Sequence, residues 1–73
     1  MSDHIYKKIE LVGSSTTSIE DAINNALKRA GQTVREMQWF EVGEIRGNIG
    51  DDNVAHYQVT LKIGFTITDT KDA

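Results

Sequence analysis

Residues 54–68, VAHYQVTLKIGFTIT, decide the fold class of this chain. Every second side chain in this stretch is apolar, while those between are mostly polar or small. A period of two is typical of a β-strand that buries one of its two faces. The apolar series consists of Ala55, Tyr57, Val59, Leu61, Ile63, Phe65 and Ile67. We therefore predict a sheet that is covered on one face by another element.

The covering element is a helix predicted over residues 19–30. Ser18 has the side chain of an N-cap, and Asp21, three residues later, approximates a capping box. Gly31 follows Lys28 and Arg29 and ends the pattern. Apolar residues recur at steps of three and four, which places them in one stripe along the helix: Ile19, Ala22, Ile23, Ala26, Leu27 and Ala30.

Two further strands complete the pattern, over residues 4–13 and 34–49, with a turn at residues 50–53 before the last strand. On the second strand we assign one face to Phe40 and Val42 and the other to Met37, Trp39, Glu41 and Ile45. Gly43 and Gly47 suggest a bulge in this strand. The order is β-α-β-β. We predict an α+β fold, a three-stranded antiparallel sheet wrapped around one helix, as a single domain over residues 1–73.

Composition excludes several classes of protein. The 73 residues include no cysteine, which rules out disulfides and thiolate metal sites, and His4 and His56 lack metal-ligand spacing. A net charge of −3 argues against a sequence-independent nucleic-acid binder. No apolar run approaches the roughly 20 residues of a membrane span, and residues 1–10 lack the apolar core of a signal peptide. We expect a soluble, cytoplasmic protein with no nucleic-acid or membrane partner.

The predicted elements differ greatly in length. A 12-residue helix is about 18 Å long, whereas a 15-residue strand extends over roughly 50 Å. One helix cannot cover such a sheet, so apolar residues such as Ile45, Ile49, Phe65 and Ile67 would be exposed in a monomer. Exposed apolar surface of this extent usually marks an interface, and so small a chain needs additional burial. We therefore expect a homo-oligomer.

Three side chains of the sheet are candidates for ligand binding. If the apolar series of the last strand faces the helix, Gln58 points away from it, and Trp39 lies on the same outward face. An indole can stack on a flat heteroaromatic ring, and a primary amide can pair with the ring's edge. Arg46 could bind a phosphate. The alternatives are an interface role for Trp39, a solvated strand position for Gln58, and a surface ion pair of Arg46 with Glu44 or Asp52.

Four segments carry a resemblance to a known family: YKKIELVGSS (6–15), SIEDAINNALKRA (18–30), WFEVGEIRGNI (39–49) and AHYQVTLKIGF (55–65). In this order, over nearly the whole chain, they resemble the dodecins, a family of small flavin-binding proteins. The resemblance implies assembly into a hollow dodecamer of cubic symmetry. It also implies that flavins bind in pairs at the two-fold axes, between tryptophans of neighbouring subunits.

The resemblance assigns roles to individual residues. Trp39 corresponds to the stacking tryptophan and Gln58 to the glutamine that contacts the flavin ring. Arg46 corresponds to an arginine that holds a flavin phosphate in bacterial members, which favours FMN over riboflavin and leaves FAD possible. Gln38 departs from the aliphatic residue of some relatives and is expected to alter the pocket wall. Some bacterial members also bind coenzyme A, for which no motif can be assigned in this sequence.

The function implied is storage, buffering and photoprotection of flavin without turnover. A flavin-independent oligomerisation module is the first alternative, and a flavin-dependent oxidoreductase is the second. The sequence contains no nucleophile–base set and no Gly-rich phosphate loop, and GEIRG (43–47) lacks the spacing of a dinucleotide fingerprint. The expectation is therefore a binding protein and not an enzyme.

Overall fold

The computed structural model describes residues 4–67 and contains the four predicted elements in the predicted order. They are strand β1 (Tyr6–Ser15), helix α1 (Ile19–Ala30), strand β2 (Met37–Gly50) and strand β3 (Asn53–Thr66). The helix bounds equal the prediction, while the strand bounds differ by one to three residues. The predicted end of the last strand, Thr68, lies outside the described residues. Within residues 4–67, no helix is both long enough and apolar enough to cross a membrane.

The three strands form one antiparallel sheet in the order β1-β3-β2, with β3 in the centre. A two-residue turn joins β2 to β3. Its central residues, Asp51 and Asp52, have φ of 51° and 65°, in the left-handed region that tight hairpin turns require. Aspartate tolerates this region better than most residues, because its short polar side chain can hydrogen-bond locally.

Helix α1 begins at a network of short polar side chains. The Ser18 hydroxyl accepts a hydrogen bond from the Asp21 backbone N–H at 3.0 Å, as an N-cap should. The expected capping box is incomplete, because the Asp21 carboxylate accepts from the Ser15 hydroxyl at 2.7 Å. Ser15 in turn accepts from the backbone N–H groups of Thr17 and Ser18. The end of β1 therefore connects directly to the first turn of the helix.

The core lies between the small-residue stripe of α1 and the strands β1 and β3. Ala22, Val59 and Leu61 are fully buried there. The helix comes so close to β1 that a Cβ at Gly13 would collide with the carbonyl oxygen of Ala22. Small residues are therefore needed on both sides of this contact, at Gly13 on β1 and at Ala22 and Ala26 on α1. A larger side chain at any of these positions would push the helix away from the sheet.

The predicted mismatch of lengths is confirmed, and Ile45, Ile49 and Ile67 are exposed as expected, whereas Phe65 is half-buried. The molecule measures 55 × 20 × 14 Å, and the helix packs on β1 and β3, leaving the helix-side face of β2 largely uncovered. Phe40, Val42 and Ile45 on that face are 42–52% exposed. Ile49, near the far end of β2, is 82% exposed. A substantial apolar surface is thus available for contact with other chains.

Two residues of β2 lie on the face opposite to the predicted one. Irregularities in the pairing follow Met37 and Val42. Met37 pairs with Phe65, and Ile45 pairs with Val59, so both belong to the helix side and not to the outward face assigned from the sequence. The reason is that a bulge adds one residue to the strand. The side chains on its two sides therefore no longer follow one continuous alternation between the faces of the sheet.

Candidate functional site

The outer face of the sheet, the one turned away from α1, carries the indole of Trp39. Trp39 pairs with Gly64 across β2 and β3. A Cβ at Gly64 would collide with the six-membered ring of the indole, so the ring lies directly over this glycine. Because Gly64 has no side chain, the indole can lie flat on the backbone of the central strand, and we call this position over Gly64 the seat of the indole.

Two neighbours hold the edges of the indole. The Tyr6 ring meets it edge-to-face, with 5.2 Å between ring centroids and 71° between planes. The indole Nε1–H donates a hydrogen bond to Glu41 Oε2 at 2.9 Å. Trp39 nevertheless remains 38% exposed. One face of the indole thus lies on the sheet, and its edges are in contact with Tyr6 and Glu41. The exposed part of the ring is available for stacking on another flat ring.

Glu41 is an ionised carboxylate in this arrangement. Its hydrogen bond from Trp39 holds the pKa of the carboxyl below its ordinary value. The Lys8 ammonium acts in the same direction at 3.2 Å from Oε2, and the positive charge of Lys62 adds to it. Each of these groups stabilises the charged form, and together they outweigh the opposing effect of desolvation.

Arg46 and Gln58 lie at the other end of the outer face. They pair with each other across β2 and β3, so their side chains are direct neighbours. Arg46 is exposed and Gln58 is half-buried. Within residues 4–67 the ion pair formed is between Lys8 and Glu41, and the guanidinium of Arg46 makes none, which disfavours the alternative pairing with Glu44 or Asp52.

The indole of Trp39 and the amide of Gln58 lie on the same face of the sheet, as predicted, but they are far apart. Gly64, beneath the indole, is six residues from Gln58 along β3, which corresponds to about 20 Å. One subunit therefore cannot place Trp39 and Gln58 on the same ring. If both contact one ligand, they must come from different copies of the chain.

Gln38 lies at the first irregularity of β2, between two paired residues. Its side chain is exposed, and Nε2 donates to the carbonyl of Glu36 at 3.4 Å. Gln38 lines an open hollow of about 190 Å³ that opens on the helix side of the sheet, whereas the indole lies on the outer face. The other lining residues are Leu27, Met37, Trp39, Phe40 and Ile63. The structure thus places Gln38 next to Trp39 in sequence and distant from Arg46, and its expected place in the wall of a flavin pocket stays a prediction.

Sequence reasoning missed the residues that hold the indole: Tyr6, Lys8, Glu41 and Gly64. A local signal existed for Glu41 alone, since residues two apart on a strand share a face. The other three belong to β1 and β3, and their proximity to Trp39 depends on the register of all three strands.

Comparisons with known proteins agree with one another. The family model described as Dodecin matches residues 5–68. A curated dodecin from Thermus thermophilus is 53% identical over 66 residues, covering 90% of this chain and 96% of the relative. The dodecin structure from Streptomyces coelicolor superposes with a TM-score of 0.91 at 47% identity, covering 96% of this chain and all of that one.

A more distant similar structure, from Mycobacterium tuberculosis, is described as a calcium dodecin with a novel calcium-binding site. Its TM-score is 0.77 at 27% identity, with 92% of this chain and 96% of that one covered. Within residues 4–67 of the present chain, no group of three or more histidine, cysteine, aspartate or glutamate side chains is arranged to hold a metal ion.

Proposed function

This chain belongs to the dodecin family, and on that premise we propose that it binds and stores flavin in a homo-oligomer. The observation that carries the proposal is the state of Trp39. Its indole is seated on Gly64 and held at its edges, yet it remains partly exposed on a face that no helix or strand within residues 4–67 covers. Ligand stacking accounts for both properties together.

The donor groups of the outer face fit a flavin that carries a phosphate. The indole of Trp39 would stack on the isoalloxazine, and the amide of Gln58 offers both a donor and an acceptor to the ring edge. The exposed guanidinium of Arg46, beside Gln58, is suited to a phosphate, which favours FMN over riboflavin and leaves FAD possible. When bound, the flavin supplies a ring that absorbs light and accepts an electron.

The geometry also favours a site shared between subunits. Because Gly64 occupies one side of each indole, a single Trp39 can stack on a ligand from one side only. Enclosing a pair of flavins therefore requires two copies of Trp39. The distance of about 20 Å from the indole to Gln58 leads to the same requirement.

The uncovered apolar face of β2, at Phe40, Val42 and Ile45, supports assembly of such copies. We propose the dodecamer of the family as the assembled form.

Storage and photoprotection follow from such an enclosure. A flavin enzyme needs one open ring face for its substrate, and a site closed by two indoles leaves none. An electron-rich indole stacked on the ligand also provides a route for quenching its excited state. The proposed role is thus to hold flavin in an unreactive state whose fluorescence is quenched, without catalysis.

The experiment compares Trp39→Ala with Trp39→Phe while FMN is titrated against the ligand-free protein and ligand emission is recorded. Stacking contributes about 1–3 kcal/mol per ring, so we expect Trp39→Ala to weaken FMN binding by about 30-fold or more and to restore emission of the bound ligand. Trp39→Phe should retain part of the affinity. Equal affinity in wild type and Trp39→Ala would exclude the stacked site.

The exposed apolar face of β2 also favours a second candidate, an oligomerisation module that binds no flavin. The same titration separates the two functions. A colourless protein that assembles but leaves FMN emission unchanged at every protein concentration would support the module. A yellow preparation that quenches added FMN would support the flavin store.

A further inference from the structure

The indole of Trp39 reaches across the central strand. Lys8 on β1 and Trp39 on β2 both pair with Gly64 of β3, one from each side. The ring lies over Gly64 and meets Tyr6, which belongs to β1. Glu41, also on β2, meets Lys8 of β1 at 3.2 Å. We call these four side chains, Tyr6, Lys8, Trp39 and Glu41, the clasp.

Glu41 is the residue that joins the parts of the clasp. Its carboxylate accepts from the indole Nε1–H at 2.9 Å and from the Lys8 ammonium at 3.2–3.3 Å. The indole has no other hydrogen-bond donor. Because Nε1–H is already engaged, Trp39 can offer a ligand only its ring surface.

An aromatic side chain on an open sheet face would otherwise sample several rotamers. Immobilising a side chain on binding costs conformational entropy, and a ring that is already held avoids this cost. The hydrogen bond to Glu41 is charge-assisted and therefore stronger than a neutral one. Glu41 thus restricts the indole before any ligand arrives.

We propose that Glu41 is a positioning residue for ligand stacking, which fixes the indole of Trp39 over Gly64 through its Nε1–H and holds it ready for a flat ring. This inference rests on the proposed function, since it assigns a role in the same site. Lys8 supports Glu41 by keeping its carboxylate charged and directed towards the indole. The lowered pKa of Glu41 agrees with this role, because the same two hydrogen bonds cause it.

The test uses the fact that Trp39 is the single tryptophan of the chain. Polarised emission of the ligand-free protein, excited at the red edge of the indole band where energy transfer between neighbouring indoles is suppressed, therefore reports the mobility of Trp39. The variants are Glu41→Ala, which removes the acceptor, and Glu41→Gln, which keeps an acceptor without the charge. Glu10→Gln is the matched control, since it makes the same change at an exposed site on the outer face of β1.

We expect Glu41→Ala to speed the local depolarisation of the indole and to weaken FMN binding by about fivefold, in line with the loss of one exposed charge-assisted hydrogen bond. Glu41→Gln should lie between wild type and Glu41→Ala in both measurements. Glu10→Gln should equal wild type. Far-ultraviolet circular dichroism and the molecular mass in solution verify that each variant is folded and assembled.

Wild-type depolarisation and wild-type affinity in Glu41→Ala would overturn the proposal, even if Trp39→Ala abolishes binding and the stacked site stands. An affinity unaffected by Trp39→Ala would instead reject the stacked site itself, whatever the mobility of the indole. If Glu41→Ala does not fold, Glu41→Gln and Lys8→Met decide the question. Wild-type depolarisation in both would then count against the positioning role.

Discussion

The two ends of the outer face differ in how completely one subunit arranges them. At one end, Trp39 is seated on Gly64 and bonded to Glu41, whose carboxylate is paired with Lys8. At the other end, Arg46 and Gln58 are neighbours by register, and the Arg46 guanidinium forms no ion pair within residues 4–67. The first end is organised by the fold of a single chain, whereas at the second end the side chains of Arg46 and Gln58 form no hydrogen bond or ion pair with the described part of the chain.

This difference indicates a division of tasks within the site. A rigid aromatic ring loses little entropy on binding, so holding it in advance favours affinity for any flat ring. A free guanidinium on a flexible stem can adjust to a phosphate whose position depends on the ligand and the neighbouring subunit. We therefore expect the Trp39 end to determine how tightly flavins bind and the Arg46 end to determine which flavin is preferred.

Gly64→Ala gives the largest expected effect, because it removes the seat of the indole. The new Cβ would collide with the ring, and its displacement would also break the contacts with Tyr6 and Glu41. We expect FMN binding to weaken by about 30-fold or more, the equivalent of losing about 2 kcal/mol of stacking. The measurement is an FMN titration followed by ligand emission.

Gly43→Ala is the matched control for Gly64→Ala, since a Cβ at Gly43 would have its nearest contact at an ordinary 3.6 Å. It should bind FMN with nearly wild-type affinity. Equal losses in both alanine variants would mean that strand flexibility, and not the seat of the indole, limits binding. The comparison between the two ends would then lose its basis.

Arg46→Ala should give a smaller and ligand-dependent effect. An exposed guanidinium contributes to phosphate binding without contacting the ring, so we expect FMN affinity to fall by about tenfold and riboflavin affinity to change by less than about twofold. Titrating both flavins against wild type, Arg46→Ala and the control Arg35→Ala measures the ratio. Parallel losses for both flavins in Arg46→Ala would contradict a division of tasks.

The pH dependence of Trp39 emission should be the smallest effect. Because the folded-state pKa of Glu41 is lowered, its stabilising contribution is present above the ordinary value of 4.5 and is lost as pH falls through the lowered pKa. We expect emission of the ligand-free protein to change with a midpoint below pH 4.5. In Lys8→Met the midpoint should move upwards, because one cause of the lowered pKa is removed. A midpoint unchanged by Lys8→Met would show that Lys8 does not affect the ionisation of Glu41.

Local patterns predicted much of this architecture correctly. The bounds of α1 and the N-cap at Ser18 follow from the spacing of apolar residues and the chemistry of a single hydroxyl. The alternation along β3 identified the helix-facing residues, of which Val59, Leu61 and Ile63 are fully buried. Helix caps and strand faces involve neighbours within a few residues, so the sequence contains the information directly.

The faces of β2 could not be derived in the same way. The alternation from Phe40 onwards holds only as far as the irregularity between Val42 and Ile45. The glycine at position 43 indicated a bulge, but the sequence does not state how many residues it absorbs. Ile45 was therefore placed on the wrong face, whereas Trp39, before this irregularity, was placed correctly on the outer one.

Local sequence patterns were sufficient to predict the elements, their order and the position of the Trp39 indole and the Gln58 amide on the outer face. The folded sheet was needed to reveal that Gly64 lies under the indole, that Glu41 and Lys8 meet beside it, and that Gln58 is about 20 Å away. The two groups of features differ in the range of the interactions that produce them. Periodicity and capping act within a few residues of chain, whereas the surroundings of Trp39 depend on the register of three strands that are distant in sequence.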